Sequence, residues 1–129
     1  EYCVGEIRKD PKNKVSERLY SNQQALFYHL EKQDIIIKKG FMLKDKVYHE
    51  KGVDVRIALD ILREALKDEY DRCFVISSDT DIIPAIIDAK AEGKQIIYVG
   101  FMGHISNALK YNCSKTFFIT TDMIKKCVK

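Results

Sequence analysis

Two aspartates, Asp79 and Asp81, are one residue apart, after an apolar run at residues 73–77 and at the start of a helical pattern at 82–91. Carboxylates at the carboxyl end of a buried parallel strand lie where open α/β sheets bind their ligands. Two carboxylates so close repel each other unless a cation or a proton relieves them, and oxygen ligands suit Mg²⁺ or Mn²⁺. Helix capping is the simpler alternative, since Asp is a favoured N-cap residue, but capping accounts for one aspartate only.

A third carboxylate, Asp54, stands at the start of a helical pattern that covers residues 53–67. Ala58, Ile61 and Ala65 follow it at helical spacing, so we expect Asp54 on the apolar face that packs against the sheet. An acid in the first turn also suits the helix dipole, which leaves a purely structural role open. A carboxylate that faces the sheet is desolvated, however, and needs a metal ion or several donors to offset that cost.

The opposite face of the same helix carries mainly charged residues. Asp60 and Glu64 fall there, among basic neighbours, and we interpret Asp60 as solvated or ion-paired at the surface rather than as part of a site.

Strand and helix patterns alternate along the chain, which predicts βαβ units, a mostly parallel sheet and helices on both of its faces. Ser16 is the predicted N-cap of the first helix, and Gly93 fits the position just after the third. The predicted strands lie at residues 2–7, 35–38, 41–43, 46–49, 73–77, 95–99 and 116–119. Asp45 marks a turn that makes a hairpin or an irregular strand extension.

Composition indicates one domain, residues 1–129, of an ordinary globular protein with 46% hydrophobic and 32% charged residues. The net charge of +3 permits a nucleic-acid partner without requiring one. No apolar run approaches a membrane span, and no signal peptide is visible. The four scattered cysteines contain no CxxC pair and predict buried free thiols in a reducing cytoplasm rather than a zinc site.

A known family combines these features. The string EKGVDVRIALDILREA, followed after a short loop by DRCFVISSDTDIIPAIIDAKAEGKQIIYVGF, resembles the NYN domains of the PIN-like nuclease superfamily, in their LabA-like branch. The resemblance implies a three-layer α/β/α sandwich with a mostly parallel central sheet, and Mg²⁺- or Mn²⁺-dependent ribonuclease activity. It also implies that Asp54, Asp79 and Asp81 belong to the acidic metal site.

The family's domains normally open with a strand that bears another acid, in an apolar run followed by DxxN. No such pattern precedes Tyr2, so we expect an N-terminally incomplete domain that starts at the family's second strand. A second copy of the chain, or another segment, would then supply the missing strand.

In an intact domain, the metal would lower the pKa of a bound water and neutralise charge that develops at the scissile phosphate. We expect Lys51, Arg8 and Lys9 to contact phosphates of a single-stranded RNA, and Ser78 to bind ligand oxygens or the loop backbone. Phe101 could stack on a base or pack internally, as could Tyr48 and His49. The glycine-containing loop at residues 100–104 is a weaker candidate for phosphate contact.

Other functions fit the sequence less well. A non-catalytic RNA-binding or protein-interaction module of the same fold is the main alternative, and it predicts RNA binding without metal-dependent cleavage. A haloacid-dehalogenase phosphatase would carry its nucleophilic Asp on an early strand, and a DxD glycosyltransferase would need a larger nucleotide-sugar domain. The sequence lacks the GxGxxG or CxxC signature that a protein with a nucleotide or redox cofactor would carry.

Overall fold

A computed structural model of the chain describes residues 1–7, 9–44 and 48–127; at residues 41–44 and 48–51 it describes the backbone alone. This part of the chain contains six strands and five helices. They are β1 (Tyr2–Gly5), α1 (Lys14–Glu31), β2 (Ile37–Lys44), β3 (Tyr48–Lys51), α2 (Val53–Leu66), β4 (Arg72–Val75), α3 (Ile83–Ala91), β5 (Gln95–Phe101), α4 (Asn107–Asn112), β6 (Lys115–Ile119) and α5 (Thr121–Cys127). Among these described elements, only β2 and β3 follow each other without a helix between them.

The chain divides into two compact units, Glu1–Arg56 and Ile57–Lys129. Each unit contains one three-stranded sheet, and the strand pairs β1–β2, β4–β5 and β5–β6 are parallel. The prediction of an α/β protein with mostly parallel strands is therefore confirmed.

The first unit is built around β2, which uses its two halves differently. Its first half pairs with β1 in parallel, and its second half pairs with β3 in an antiparallel hairpin. The predicted hairpin is confirmed, but the two short strands expected at residues 35–38 and 41–43 are one continuous strand. The turn predicted at Asp45 lies outside the described residues.

Helix α1 begins three residues earlier than the sequence indicates. Asn13 is its N-cap, because the Asn13 side chain accepts hydrogen bonds from the backbone N–H of Val15 and Ser16. The predicted cap, Ser16, is buried instead, and its hydroxyl accepts a hydrogen bond from the Asp10 N–H at 3.3 Å. Gln23 ties the helix to the strand side of this unit through hydrogen bonds with Gly5 and Ile7.

The second unit holds a compact apolar core around its central strand, β5. The sheet order is β4-β5-β6, and residues 96–99 of β5 are all buried. Helices α2, α3 and α4 contribute to that core, with Ile61, Ile86 and Leu109 among the buried side chains. Helix α3 ends as predicted: Gly93 has φ +79°, and the Lys94 N–H donates to the Ala89 carbonyl as in a Schellman motif.

Strand β4 differs from its sequence interpretation. Its apolar run is typical of a strand in the middle of a parallel sheet, yet within the second unit β4 lies at an edge of the described sheet. Phe74 is 64% exposed and Ile76, just after the strand, is 61% exposed. Over the described residues, none of the helices combines the length and the apolar character that crossing a bilayer requires.

Candidate functional site

The loop that follows β4 contains Asp79 and Asp81 in two consecutive turns, each closed by a hydrogen bond from the backbone to a side chain. Ser77 Oγ accepts a hydrogen bond from the Asp79 N–H at 3.0 Å. Asp79 Oδ1 in turn accepts one from the Asp81 N–H at 2.8 Å. Short polar side chains that bond the backbone two residues ahead favour such turns over a helix or strand. The loop therefore leaves the carboxyl end of β4 in a defined conformation.

Neither aspartate caps the helix that follows. Helix α3 has Ile82 at its N-cap position without a side-chain hydrogen bond, and Pro84 lies in its first turn. The Ile83 N–H donates to the Thr80 carbonyl instead. The capping alternative is thus wrong for both residues. The Asp79 side chain stabilises the loop, whereas the Asp81 side chain neither caps the helix nor stabilises the loop. The Asp81 side chain is exposed and has no hydrogen bond or ion pair within the described residues.

Asp54 lies in the first turn of α2, as the sequence predicts. Gly52 precedes that helix with φ +80°, a conformation that favours glycine, and its carbonyl accepts a hydrogen bond from the Arg56 N–H. The Asp54 side chain is half-buried, and at helical spacing it shares a face with the buried residues Ile61 and Ala65. Asp54 belongs to the first unit and the other two acids to the second, so their predicted common site stays a prediction.

The carboxylates of Asp79 and Asp81 have the ligand chemistry of a hard-cation site. All of their donor atoms are oxygens; one oxygen of Asp79 holds the turn, whereas Asp81 offers its whole carboxylate. Over the described residues, neither unit by itself contains a group of three or more His, Cys, Asp or Glu side chains that could hold a metal ion. Asp79 and Asp81 therefore fit Mg²⁺ or Mn²⁺ as part of a ligand set.

Asp60 corrects one sequence interpretation. It was expected at the surface, but its side chain is 5% exposed and it forms an ion pair with Arg63, three residues further along α2. Helical periodicity places Asp60 on the charged face, but it does not show how deeply that face is covered. The ion pair itself agrees with the prediction.

The predicted phosphate-binding residues fall in different parts of the chain. Arg8 and the side chain of Lys51 lie outside the described residues. Lys9 is exposed and forms an ion pair with Glu17 at 3.4 Å. Ser78 is exposed in the loop between β4 and α3, residues 76–82, which we call the acidic loop. The hydroxyl of its neighbour Ser77 accepts a hydrogen bond from the backbone of that loop.

A turn after β5 lies at the same edge of the sheet as the acidic loop, because β4 and β5 are parallel and adjacent. Residues 101–105 in this turn are all exposed, including Phe101, Met102 and His104. The sequence predicts a loop at residues 100–104, but it gives no sign that Ile105 is exposed as well. Apolar residues after a strand read equally well as core.

Comparisons with known proteins agree with this architecture. The model of the NYN domain family matches residues 2–121, so the chain belongs to the NYN domain family and to the PIN-like superfamily that contains it. An uncharacterized protein of Methanocaldococcus jannaschii is 32% identical over 96 residues, which are 74% of this chain; the match spans 38% of that relative's length.

A solved structure has a similar fold. The crystal structure of a protein of unknown function from Vibrio parahaemolyticus aligns with a TM-score of 0.63 at 20% identity, covering 92% of this chain and 67% of that one. At this identity the likeness concerns the fold alone. Together with the family match, it establishes the PIN-like α/β fold that the two sequence motifs predict.

Proposed function

We propose that this NYN domain is a metal-dependent ribonuclease that hydrolyses phosphodiester bonds of RNA. The observation that carries the proposal is the loop after β4, which presents the Asp79 and Asp81 carboxylates on one pair of turns at the carboxyl end of a parallel strand. Ligands of open α/β sheets bind at such strand ends. Membership of a family with a PIN-like nuclease fold supports the same conclusion.

Each acidic residue has a distinct part in this proposal. Asp81, exposed and unpaired in the described structure, would be a direct ligand of Mg²⁺ or Mn²⁺. Asp79 would contribute the oxygen that the turn does not use, and Asp54 would complete the ligand set. A bound cation would supply Lewis-acid stabilisation of the phosphate and activation of the attacking water. The turn hydrogen bonds orient the Asp79 carboxylate before any ligand binds, which favours binding because less motion is lost.

Single-stranded RNA is the proposed substrate. Phosphate contacts from Arg8, Lys9, Lys51 and Ser78 would position the strand, and the net charge of +3 agrees with a polyanionic partner. Lys9 is already paired with Glu17 at the surface, so its contact with RNA would have to replace an exposed ion pair of small value.

The experiment that tests the proposal is cleavage of a 5′-labelled single-stranded RNA in the presence of Mn²⁺, Mg²⁺ or EDTA. We expect cleavage with either metal, none with EDTA, and a loss of about 100-fold or more in Asp79→Asn and in Asp81→Asn. Asp88→Asn is the matched control, because Asp88 is an exposed aspartate in α3. Cleavage that persists in both loop variants at the rate of the control would refute the proposed site.

A non-catalytic RNA-binding or protein-interaction module is the second candidate. It is favoured by the observation that, over its described residues, the second unit contains no group of three or more His, Cys, Asp or Glu side chains that could hold a metal ion. This alternative predicts that RNA binds without being cut and that binding survives Asp79→Asn. The cleavage assay and a parallel binding assay separate the two candidates.

We also propose that the chain works as one NYN domain whose strand β4 pairs with a further strand, from another segment or from a second copy of the chain. The support is β4, which pairs with β5 alone among the described strands and carries the exposed side chain of Phe74. An apolar edge strand is a template for pairing. Size measurement of the wild type and of Phe74→Lys over a range of concentrations tests the homodimer, since the variant should stay monomeric.

The cytoplasm is the proposed location. Its support is that Cys113 and Cys127 are free thiols, as a reducing compartment keeps them.

A further inference from the structure

The turn between β5 and α4 is held firmly although its side chains are exposed. The Met102 N–H donates to the Ile119 carbonyl at 3.1 Å, and the His104 N–H donates to the Phe101 carbonyl at 3.0 Å. At the far end of the turn, the Ser106 N–H donates to the hydroxyl of buried Tyr98 at 3.0 Å. Hydrogen bonds from the neighbouring strand and from the core therefore fix this turn.

Two glycines adapt the backbone of this turn. Gly103 has φ +96°, a conformation that other residues rarely adopt. A Cβ at Gly100 would lie 3.0 Å from the Tyr98 hydroxyl oxygen, so glycine permits the close approach of strand and ring. The backbone is thus specialised for a turn that projects from the sheet edge.

The exposed side chains of this turn are mostly apolar. Phe101 is 41% exposed and Met102 is 57% exposed, while the core of the unit is formed by other residues. Residues 101–105, Phe-Met-Gly-His-Ile, contain neither lysine nor arginine. A phosphate would find neither a lysine nor an arginine within this segment, whereas a flat π surface would find an aromatic ring and a thioether.

From this geometry we infer that Phe101, with Met102 beside it, forms a stacking platform for a nucleobase of the RNA strand. The inference rests on the proposed function and assigns it a base-binding site. Parallel strands bring the turn and the acidic loop to the same edge of the β4-β5-β6 sheet, so a strand whose phosphate reaches the acidic loop passes the turn. Stacking tolerates any base but requires an unpaired one, and the platform selects single strands over duplexes.

The test is equilibrium binding in EDTA, which measures RNA affinity without cleavage. The probes are a fluorescein-labelled single-stranded RNA, an abasic ribose-phosphate oligomer of the same length, and the corresponding duplex. The variants are Phe101→Ala, Phe101→Leu and Phe101→Tyr. Leu keeps apolar volume without a ring, and Tyr keeps the ring. Tyr111→Ala is the control, because Tyr111 is 88% exposed near the other end of α4.

We expect Phe101→Ala and Phe101→Leu to weaken binding of the single strand by about 5- to 100-fold, the effect of losing one base–aromatic stack. Phe101→Tyr and Tyr111→Ala should bind it as the wild type does. Affinity for the abasic oligomer should be equal in all variants, and wild-type affinity for the duplex should be below that for the single strand.

Equal losses on the base-bearing and abasic oligomers would overturn the inference, as would unchanged binding by Phe101→Leu or absence of RNA binding. The cleavage assay keeps this result distinct from the proposed function. Metal-dependent cutting with no effect of Phe101 would refute the platform alone. Base-dependent binding through Phe101 without cutting would refute the nuclease alone.

Discussion

The backbone N–H of Asp81 donates a hydrogen bond to Oδ1 of Asp79 at 2.8 Å. One of the two candidate ligands therefore fixes the backbone of the other. Asp79 serves the fold through an oxygen that accepts a hydrogen bond, and it would serve catalysis through its negative charge. An asparagine keeps the first property and loses the second, so substitution can separate the two roles.

Asp79→Ala and Asp79→Asn should differ in stability but not in activity. Alanine removes the acceptor of the turn and should lower the free energy of unfolding by about 1 kcal/mol, the usual net value of one hydrogen bond. Asparagine retains that acceptor and should stay within about 0.5 kcal/mol of the wild type. Both should abolish cleavage. Urea unfolding followed by circular dichroism measures the difference.

Asp81→Ala is the control for this comparison, because the Asp81 side chain holds no hydrogen bond within the described residues. Its stability should match that of Asp79→Asn. If Asp79→Asn is as unstable as Asp79→Ala, charge rather than the acceptor holds the turn, and the separation of roles is incorrect.

Local signals made much of the fold predictable. The end of α3 is one case: glycine is the residue that best adopts φ +79°, so Gly93 marks the helix end before any tertiary contact is known. The paired aspartates after an apolar strand likewise identify the loop that holds them. Hydrogen bonds that span two or three residues depend on the types of the neighbouring residues, which can be read from the sequence.

Features that depend on which elements pack together were not predictable in this way. The apolar run of β4 fits a central strand, yet β4 is an edge strand within its unit, since pairing order is a tertiary property. Periodicity places Asp60 on a charged helical face, but its burial depends on what covers that face.

Arg63→Ala should destabilise the protein more than loss of an ordinary surface ion pair. Arg63 pairs with Asp60, whose side chain is 5% exposed, so removal of the guanidinium takes an ion-pair partner from a buried carboxylate. We expect the free energy of unfolding to fall by about 1.5–3 kcal/mol, the range for hydrogen bonds to charged groups. Chemical denaturation at neutral pH gives this value.

Lys67→Ala provides the comparison. The Lys67 Nζ and Glu69 Oε1 atoms are 3.7 Å apart, and both side chains are more than half exposed. Their ion pair should therefore contribute less than about 1 kcal/mol to the free energy of unfolding. Similar losses in Arg63→Ala and Lys67→Ala would mean that the burial of Asp60 has no energetic consequence for its ion pair.

Tyr70 should make stability depend on pH at the alkaline end. Burial, with the negative charges of Cys73 and Glu64, raises the pKa of Tyr70 to about 12 from an ordinary value of 10.0. Below pH 10 the hydroxyl is protonated in both states and its contribution is complete. As pH rises towards 12, the unfolded chain ionises first, so the contribution of Tyr70 to stability is lost.

Tyr70→Phe isolates this effect. The Tyr70 hydroxyl donates to the Ile61 carbonyl at 2.8 Å, and its removal should cost about 1 kcal/mol near neutral pH. The gap between wild type and Tyr70→Phe should shrink between pH 10 and pH 12 in urea unfolding experiments. The exposed Tyr111→Phe serves as the reference, and a gap that stays constant over this range would contradict the prediction.

The four cysteines should react with a thiol reagent at clearly different rates. Cys127 is exposed, Cys3 and Cys73 are half-buried, and Cys113 is buried. Burial also raises the pKa of the Cys113 thiol, which lowers its fraction of reactive thiolate. In the native protein, Ellman's reagent should modify Cys127 first and Cys113 last, whereas in concentrated guanidinium chloride all four should react at similar rates.

Two serine variants assign the phases. Cys127→Ser should remove the fast phase, and Cys113→Ser should remove the slowest one while leaving the fast phase unchanged. The slowest phase also reports on the core, because Cys113 packs in the same cluster as Leu109 and Tyr98 and reacts only when that cluster opens. If Cys113 instead reacts as fast as Cys127 in the native protein, the second unit is not closed around its core.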